Sequence, residues 1–244
     1  MPSISLVLPA YNEAENIEPM VAEAVPALEA VTDDAGDYEI IVVDDGSADD
    51  TAGATRRAME ENPHVRLVQH PVNRGFGAAV FSGFTNATKD WIFYTDADRQ
   101  FVLSELEEFV PLMEQADLIA GYRAPRRDPF LRVFYGKGWS MLCSLLFGYT
   151  VRDVDCGFKL FRREIIQELA PQIASRGATF SIEWLVRAKR AGYRFVELPV
   201  SHRPRLAGSQ TGANLNVIVR AFRELVQFRL QLWREGPART VSED

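Results

Sequence analysis

The chain has 244 residues, of which 47% are hydrophobic and 25% are charged, and its formal net charge is −7. This is the composition of an ordinary globular protein that can bury a core. The negative charge argues against general nucleic-acid binding, although a local patch can still bind an anionic substrate. The two cysteines, Cys143 and Cys156, are too few for a disulfide framework and favour a reducing compartment.

The sequence contains no segment typical of a secretion signal or a membrane span. The start, Met1-Pro2-Ser3, lacks a basic region followed by a long apolar stretch. The most apolar segment, 139–149, is shorter than the ~18 residues that cross a bilayer. We therefore expect a cytoplasmic protein in which this segment is a buried helix or one that lies at a membrane surface.

Strands and helices alternate along the first half of the chain. The predicted strands are 4–8, 38–43, 65–69, 91–95 and 117–120, and the predicted helices are 13–31, 49–61, 75–88 and 104–115. The near-continuous apolar strand at 38–43 is typical of a sheet that is covered on both faces. This order predicts an α/β fold with a mostly parallel, doubly wound sheet, in which ligands bind beyond the carboxyl ends of the strands.

Polar residues follow the first four predicted strands. They are Asn12-Glu13, Asp44-Asp45-Gly46-Ser47, His70 to Gly75, and Asp96-Ala97-Asp98. Residues two apart in an extended chain point the same way, so Asp96 and Asp98 repel each other unless a cation lies between them. A divalent cation that carries a diphosphate on its other side suits such a pair. Taken singly, Asn12 and Ser47 also fit helix N-caps, and Asp45-Gly46 fits a turn.

The second half of the chain is less regular. Its predicted segments are a basic loop at 123–132, a helix at 130–149, a loop into a short strand at 153–161, a helix at 181–191, a strand at 194–200, a Gly- and Arg-rich loop at 202–212, and a helix at 214–233. The last helix has an apolar stripe, several arginines and Trp233, which is typical of helices at a membrane surface. Packing on the sheet or a homodimer contact is the alternative. We expect a catalytic domain at 1–212, an amphipathic helix at 213–235 and a flexible tail at 236–244.

These motifs resemble those of a known family. Pro9-x-Tyr11-Asn12-Glu13, Val43-Asp44-Asp45-Gly46-Ser47, Asn73-Arg74-Gly75 and Asp96-Ala97-Asp98-x-Gln100 resemble the signature set of inverting family 2 glycosyltransferases with the GT-A fold. Asp155-x-Gly157-Phe158-Lys159, Pro199-Val200 and the loop at 205–208 resemble polyprenyl-phosphate sugar transferases of the dolichyl-phosphate mannose synthase type. The resemblance implies a Rossmann-like sheet with helices on both faces, followed by C-terminal amphipathic helices.

The resemblance also implies roles for individual residues. Those implied to bind the nucleotide sugar are Pro9, Tyr11, Glu13, Val43, Asp45, Arg74, Asp96, Ala97 and Asp98. Asp96, Asp98 and Gln100 are implied to hold Mg²⁺ or Mn²⁺. Asp98, Arg123, Arg132 and Arg205 are implied to act in catalysis, the arginines by neutralising the acceptor phosphate or the departing diphosphate.

Together these implications predict an enzyme at the cytoplasmic face of a membrane. It would move a hexose with inversion from GDP-mannose or UDP-glucose to dolichyl or undecaprenyl phosphate. A metal and arginines can neutralise a leaving diphosphate, and an acceptor phosphate is already an anionic nucleophile. A saccharide or glycolipid hydroxyl would instead need a general base, for which Asp155 and Glu183 are the candidates together with Asp153.

Other classes of protein fit less well. A nucleotidyltransferase usually has a Gly-rich basic loop after the first strand, where this chain has the acidic, Gly-free stretch 9–13. A phosphatase with an Asp-x-Asp nucleophile would have Thr or Val at the position of Gln100. A non-catalytic scaffold is the last alternative. Two departures from the family pattern are Gln210-Thr211, where Ser-Lys is usual, and Cys156, which we expect to be a small buried residue.

Overall fold

The computed structural model describes residues 2–33, 37–124, 130–177, 179–204 and 215–236, and only the backbone of 130–137 and 215–220. The strands in this part of the chain are β1 (Ile4–Ala10), β2 (Tyr38–Asp44), β3 (Val65–Gln69), β4 (Trp91–Tyr94), β5 (Leu118–Arg123), β6 (Lys159–Arg162) and β7 (Phe195–Val200). The α-helices are α1 (Ala14–Glu29), α2 (Thr51–Glu61), α3 (Phe76–Asn86), α4 (Leu106–Phe109), α5 (Phe130–Phe147), α6 (Arg163–Leu169), α7 (Phe180–Arg190) and α8 (Leu215–Glu235).

The strands form one sheet in the order β3-β2-β1-β4-β6-β5-β7. Strand β6 runs antiparallel to β4 and β5, and the other described pairs are parallel. The expected α/β architecture with a mostly parallel sheet is therefore confirmed. Because Ala10 pairs with Asp44 and Val7 with Tyr94, the carboxyl ends of β1, β2 and β4 lie together at one edge.

Helices cover both faces of this sheet. Every residue of β1 and β2 is buried, as the apolar run in β2 predicts. One buried cluster joins the sheet to α1, α2 and α4, and a second joins it to α3, α6 and α7. Gly83 lets α3 approach β1, since a Cβ at that position would lie 2.2 Å from Cγ1 of Val7.

Two predicted elements differ from the structure. The helix predicted at 104–115 is three short pieces: a 3₁₀ turn at Leu103–Glu105, then α4, then a second 3₁₀ turn at Val110–Glu114. Pro111 at the start of the second turn has no N–H for a helical hydrogen bond, which interrupts the helix. The short helix α6 is absent from the sequence prediction because it follows β6 directly, with no turn residue to mark its start.

Helices α5 and α8 each have a buried side and an exposed side. Leu225, Phe228 and Leu232 of α8 belong to the same buried cluster as α3 and α7, so α8 packs on the domain through this side. Cys143 of α5 lies in that cluster too. Among the helices that the structure describes, none is both long enough and apolar enough to span a bilayer.

Candidate active site

The loops after β1 and β2 are joined by hydrogen bonds. The backbone N–H of Asn12 donates to Ser47 Oγ at 2.9 Å, and the N–H of Ala48 donates to Asn12 Oδ1 at 2.8 Å. Asn12 has a left-handed φ of 56°, which asparagine tolerates better than most residues. The interpretation of Asn12 and Ser47 as helix N-caps is therefore wrong: α1 and α2 begin after Glu13 and Asp50, and neither makes a side-chain capping bond.

Asp45 is buried, and its carboxylate organises the loop after β3. Oδ1 accepts a hydrogen bond from the N–H of Arg74 at 2.9 Å and lies 2.6 Å from Nδ1 of His70, and Oδ2 accepts from the N–H of Gly75 at 2.8 Å. Gly46 permits the close approach of this loop, since a Cβ there would lie 2.4 Å from the carbonyl carbon of Val72. Both oxygens of Asp45 are engaged, so its contacts support a positioning role for Asp45 and leave Arg74 exposed at the edge.

Asp96 and Asp98 follow β4 at the same edge. Tyr94 donates its hydroxyl to Asp96 Oδ1 at 3.2 Å, and Gly157 packs so closely that a Cβ there would lie 2.4 Å from Asp96 Oδ2. Loss of contact with water, and then the charge of Asp98, raise the pKa of Asp96 to about 7. The pair therefore concentrates negative charge that its protein surroundings do not fully offset.

Gln100 connects the loop after β4 to the residues that follow β7. Its Nε2 donates to the carbonyl of Arg203 at 3.0 Å, and the N–H of Arg203 donates to the carbonyl of Gln100 at 2.7 Å. Its own N–H donates to Asp98 Oδ1 at 3.2 Å. With its amide nitrogen engaged, Gln100 would have its amide oxygen as the atom to ligate a metal. Among the described residues, no group of three or more His, Cys, Asp or Glu side chains forms a metal site.

Two buried cations lie near the acidic pair. Arg123 donates from Nε and Nη2 to the two oxygens of Asp153, each at 2.8 Å. Lys159 donates to the carbonyl oxygens of Val154, at 3.1 Å, and Cys156, and burial lowers the pKa of its ammonium. The positive charges of Arg123 and Lys159 oppose the rise in the pKa of Asp96. Arg123 thus lies beside the acidic pair in an ion pair with Asp153, and its contact with a phosphate stays a prediction.

The other predicted site residues divide by exposure. Pro9, Val43 and Ala97 are buried, so their side chains pack inside the domain next to this edge of the sheet. Tyr11 is exposed there, and Glu13 accepts a hydrogen bond from the side chain of Asn16 at 2.6 Å. The side chain of Arg132 and the whole of Arg205 lie outside the described residues.

Glu183 and Asp155, two candidates for a general base, differ in burial. Glu183 is buried in α7, where its carboxylate accepts from the N–H groups of Ala174 and Ser175 at 3.0 and 2.7 Å and pairs with Arg187 at 3.1 Å. These contacts hold the segment before α7 and support a structural role for Glu183. Asp155 is exposed in the loop before β6. Cys156 is fully buried, as expected, and burial raises the pKa of its thiol to about 12.

The model of the family described as Glycosyl transferase family 2 matches residues 5–170, which include all four polar loops at the sheet edge. The chain belongs to this family.

Family 2 members with known descriptions resemble the chain over most of its length. A dolichyl-phosphate beta-glucosyltransferase of Trichomonas vaginalis is 35% identical over 80% of this chain and 62% of its own length. Glycosyltransferase AglD of Haloferax volcanii is 34% identical over 83% of this chain and 33% of its own length. The chain thus spans less than two thirds of these relatives.

A solved structure shares the fold of this family 2 chain. It is glucosyl-3-phosphoglycerate synthase from Mycobacterium tuberculosis, in complex with Mn²⁺, uridine diphosphate and glucosyl-3-phosphoglycerate. The TM-score is 0.68 at 20% sequence identity, over 94% of this chain and 79% of the other. The predicted GT-A fold is confirmed.

Three residues that hold the edge together were named in the sequence analysis, but not in these roles. Asp153 pairs with Arg123, and His70 bridges Asp45 and Ser82, with Nε2 2.9 Å from Ser82 Oγ. Lys159 appeared only as part of a motif. Its signal was present, because a lysine inside the apolar run 158–161 indicates a buried cation. His70 could have been found from the parallel pairing of β2 and β3, which places the residue after Gln69 beside Asp45.

Proposed function

We propose that this family 2 chain transfers a hexose, with inversion, from a nucleotide sugar to a polyprenyl phosphate at a membrane surface, assisted by a divalent cation. The observation that carries the proposal is the acidic pair Asp96 and Asp98, which lies at the carboxyl end of β4 with a raised pKa at Asp96. The likeness to a dolichyl-phosphate beta-glucosyltransferase supports the acceptor class and makes UDP-glucose the first donor to test, with GDP-mannose as the second.

The donor set fits a hard divalent cation. Asp96 and Asp98 through their carboxylates, and Gln100 through its amide oxygen, would hold Mg²⁺ or Mn²⁺, which take one or two carboxylates together with substrate phosphates. When bound, the cation supplies positive charge for the leaving diphosphate. The raised pKa of Asp96 supports this assignment, because the charge of the neighbouring Asp98 contributes to it and a cation between the two carboxylates would offset their repulsion. The Mn²⁺ in the solved synthase supports a divalent cation and leaves the choice of metal open.

The acceptor side favours a phosphate nucleophile. Asp153 and Glu183 are engaged by Arg123 and Arg187, so neither is presented as a base to a hydroxyl group. A phosphate acceptor needs no such base, since it is anionic at neutral pH. The exposed Asp155 is the observation that keeps a hydroxyl acceptor as the second candidate.

The test is product formation by the purified chain. UDP-glucose, GDP-mannose and related donors are mixed with dolichyl or undecaprenyl phosphate, with Mn²⁺, with Mg²⁺ and with EDTA. We expect a metal-dependent, β-linked lipid-phosphate sugar, whose rate of formation falls by about 10²–10³ in Asp98→Asn. Glu108→Gln, which changes an exposed carboxylate of α4, is the matched control.

A second variant separates the two acceptor classes. Asp155→Asn should leave the rate with a lipid phosphate within about threefold of the wild type, because no proton has to be removed from that acceptor. Near-complete loss in Asp155→Asn, with donor binding intact, would favour a hydroxyl acceptor. Absence of both turnover and nucleotide binding would overturn the catalytic proposal.

A further inference from the structure

Helix α8 has two apolar sides, and one of them is exposed. Ala221, Leu225, Phe228 and Leu232 face the core and are almost fully buried. Phe222, Val226, Leu230 and Trp233 are 47%, 55%, 49% and 74% exposed. Their spacing of four, four and three residues places them on one continuous stripe of the helix. Scattered exposed apolar residues are normal on a protein surface, but a stripe along several helical turns indicates a contact.

Helix α5 packs beside α8 through aromatic contacts. Trp139 packs edge-on against Phe222 with ring centroids 5.9 Å apart, and Phe147 packs against Phe228 at 5.0 Å. Met141 and Leu145 are 72% and 82% exposed, but each lies two positions from Trp139 or Phe147 and therefore on another side of α5. Residues 138–147 carry no charged side chain. We call the exposed stripe Phe222, Val226, Leu230 and Trp233, together with Trp139 of α5 that packs against it, the α5–α8 face.

Charge is distributed unequally around this face. Arg223, Arg229 and Arg234 of α8 are exposed. The carboxylates of the same helix have partners within the chain: Glu224 accepts a hydrogen bond from Thr179 at 2.7 Å, and Glu235 pairs with Arg187 at 3.1 Å. A chain with a net charge of −7 therefore borders its exposed apolar helix with cations.

An anionic lipid surface matches this arrangement. In helices that lie in a bilayer interface, apolar residues enter the headgroup region while flanking arginines meet lipid phosphates, and Trp sits at the boundary. A twofold contact between two copies through the same face would instead bring arginines of both copies together. The carboxylates of α8 that could neutralise them are engaged inside each copy.

We propose that the α5–α8 face docks the chain on a bilayer that contains anionic phospholipids. Apolar side chains from both helices enter the interface, and Arg223, Arg229 and Arg234 contact the headgroups. The proposal rests on the proposed function only in that it explains how a membrane-embedded acceptor is reached. Vesicle binding itself can be measured without turnover.

The test is co-sedimentation with phosphatidylcholine vesicles, with and without phosphatidylglycerol. We expect the wild-type chain to bind the anionic vesicles, and added salt to weaken that binding. A double variant, Leu230→Ser with Trp233→Ser, should bind at least about tenfold more weakly through loss of apolar burial. A triple Arg→Gln variant at 223, 229 and 234 should lose the preference for anionic vesicles at about 1 kcal/mol, or about fivefold in affinity, per arginine.

The matched control substitutions lie in α2, which packs on the opposite face of the sheet from α8. Met59→Ser removes an exposed apolar side chain of α2, and Arg56→Gln removes an exposed cation there. Both should bind vesicles as the wild type does. All the substitutions are at exposed positions, and thermal unfolding confirms that each variant is folded.

Three results would overturn the proposal. They are absence of wild-type binding, binding that the face variants leave unchanged, and a dimer, seen by light scattering, that Trp233→Ser converts to a monomer. Turnover of a short soluble acceptor, geranyl phosphate, separates this proposal from the proposed function. The face variants should retain that turnover, and an equal loss there would count against docking. Vesicle binding by a wild-type chain with no transferase activity would overturn the proposed function alone.

Discussion

Two acidic pairs lie at the same edge of the sheet, and their carboxylates have opposite surroundings. Asp44 ends β2 and Asp45 follows it, and we call them the β2 pair; Asp96 and Asp98 follow β4, and we call them the β4 pair. The four carboxylate oxygens of the β2 pair accept hydrogen bonds from the backbone of Ser47, the side chain of Gln69, and the backbone of Arg74 and Gly75. In the β4 pair, Asp96 accepts from the Tyr94 hydroxyl and is raised in pKa to about 7.

The difference separates two uses of the same residue type. Hydrogen-bond donors satisfy the oxygens of a buried carboxylate, so the β2 pair can hold neighbouring loops together. In the β4 pair the raised pKa of Asp96 indicates that its charged form is disfavoured, and a divalent cation would offset that charge. Surroundings rather than sequence spacing thus distinguish the acidic residues that shape the site from those that we propose to bind the metal.

The largest expected effect is on turnover. Asp96→Asn should lower kcat by about 10²–10³, because the variant would hold the cation and the leaving diphosphate poorly. Asp44→Asn keeps one acceptor oxygen, and other hydrogen bonds hold the same loop. We therefore expect kcat to fall by no more than about tenfold. Steady-state kinetics at saturating donor and acceptor compare the two. A loss in a folded Asp44→Asn as large as in Asp96→Asn would remove the distinction between the pairs.

The second expected effect is on stability, where the two pairs should respond with opposite signs. The folded chain binds the proton of Asp96 more tightly than the unfolded chain does, since the pKa rises from 3.8 to about 7. The free energy of unfolding therefore falls as pH rises from about 4 to about 7, and Asp96→Asn removes that loss. At about pH 8 without divalent metal, Asp96→Asn should be more stable than the wild type by about 1–3 kcal/mol. Asp45→Asn should be less stable by about 1–3 kcal/mol, because an amide NH₂ then faces backbone N–H groups.

Urea unfolding in EDTA measures both free energies. The gain in Asp96→Asn should disappear below about pH 4, where the carboxyl is protonated in both states. A destabilised Asp96→Asn at high pH would mean that its carboxylate is compensated by the protein as fully as the β2 pair is.

The fold was predictable from the sequence where hydrophobic pattern and strand order agree. Strands β1 to β4 and the polar loops after them follow from apolar runs that end in turn or acidic residues. The second half was harder, because β6 enters the sheet between β4 and β5 in the antiparallel direction. No local pattern in a strand of four residues specifies its direction or its neighbours.

The candidate site was predictable as a set of positions, and less so as a set of contacts. The sequence predicts that Asp45 and Asp96 lie at one edge, but it does not reveal which carboxylate has hydrogen-bond donors for both of its oxygens. Asp45 is satisfied by backbone N–H groups of Arg74 and Gly75, and Arg123 is paired with Asp153 thirty positions away. Such partners depend on how separate loops approach one another, and this approach in turn requires glycine at position 46.

The smallest effect that we predict concerns Gly157, which packs against Asp96 of the β4 pair. A Cβ at Gly157 would lie 2.4 Å from Oδ2 and 2.9 Å from Cγ of Asp96, so Gly157→Ala should shift that carboxylate. We expect the dissociation constant for Mn²⁺, measured by calorimetry in the presence of UDP, to rise about tenfold, as when a group that orients a metal ligand is changed. Gly138→Ala in α5 is the control, since an added Cβ there would meet no described atom within 4 Å.

The outcome for Gly157→Ala decides how far the contrast between the two pairs extends. Weaker Mn²⁺ binding with an unchanged free energy of unfolding would support a ligand role for Asp96, because a purely structural carboxylate would change stability and leave metal affinity alone. Wild-type affinity for Mn²⁺ would leave Asp98 as the carboxylate that binds the metal. The raised pKa of Asp96 would then reflect burial beside a charged neighbour, and the β4 pair would contain one residue of each kind.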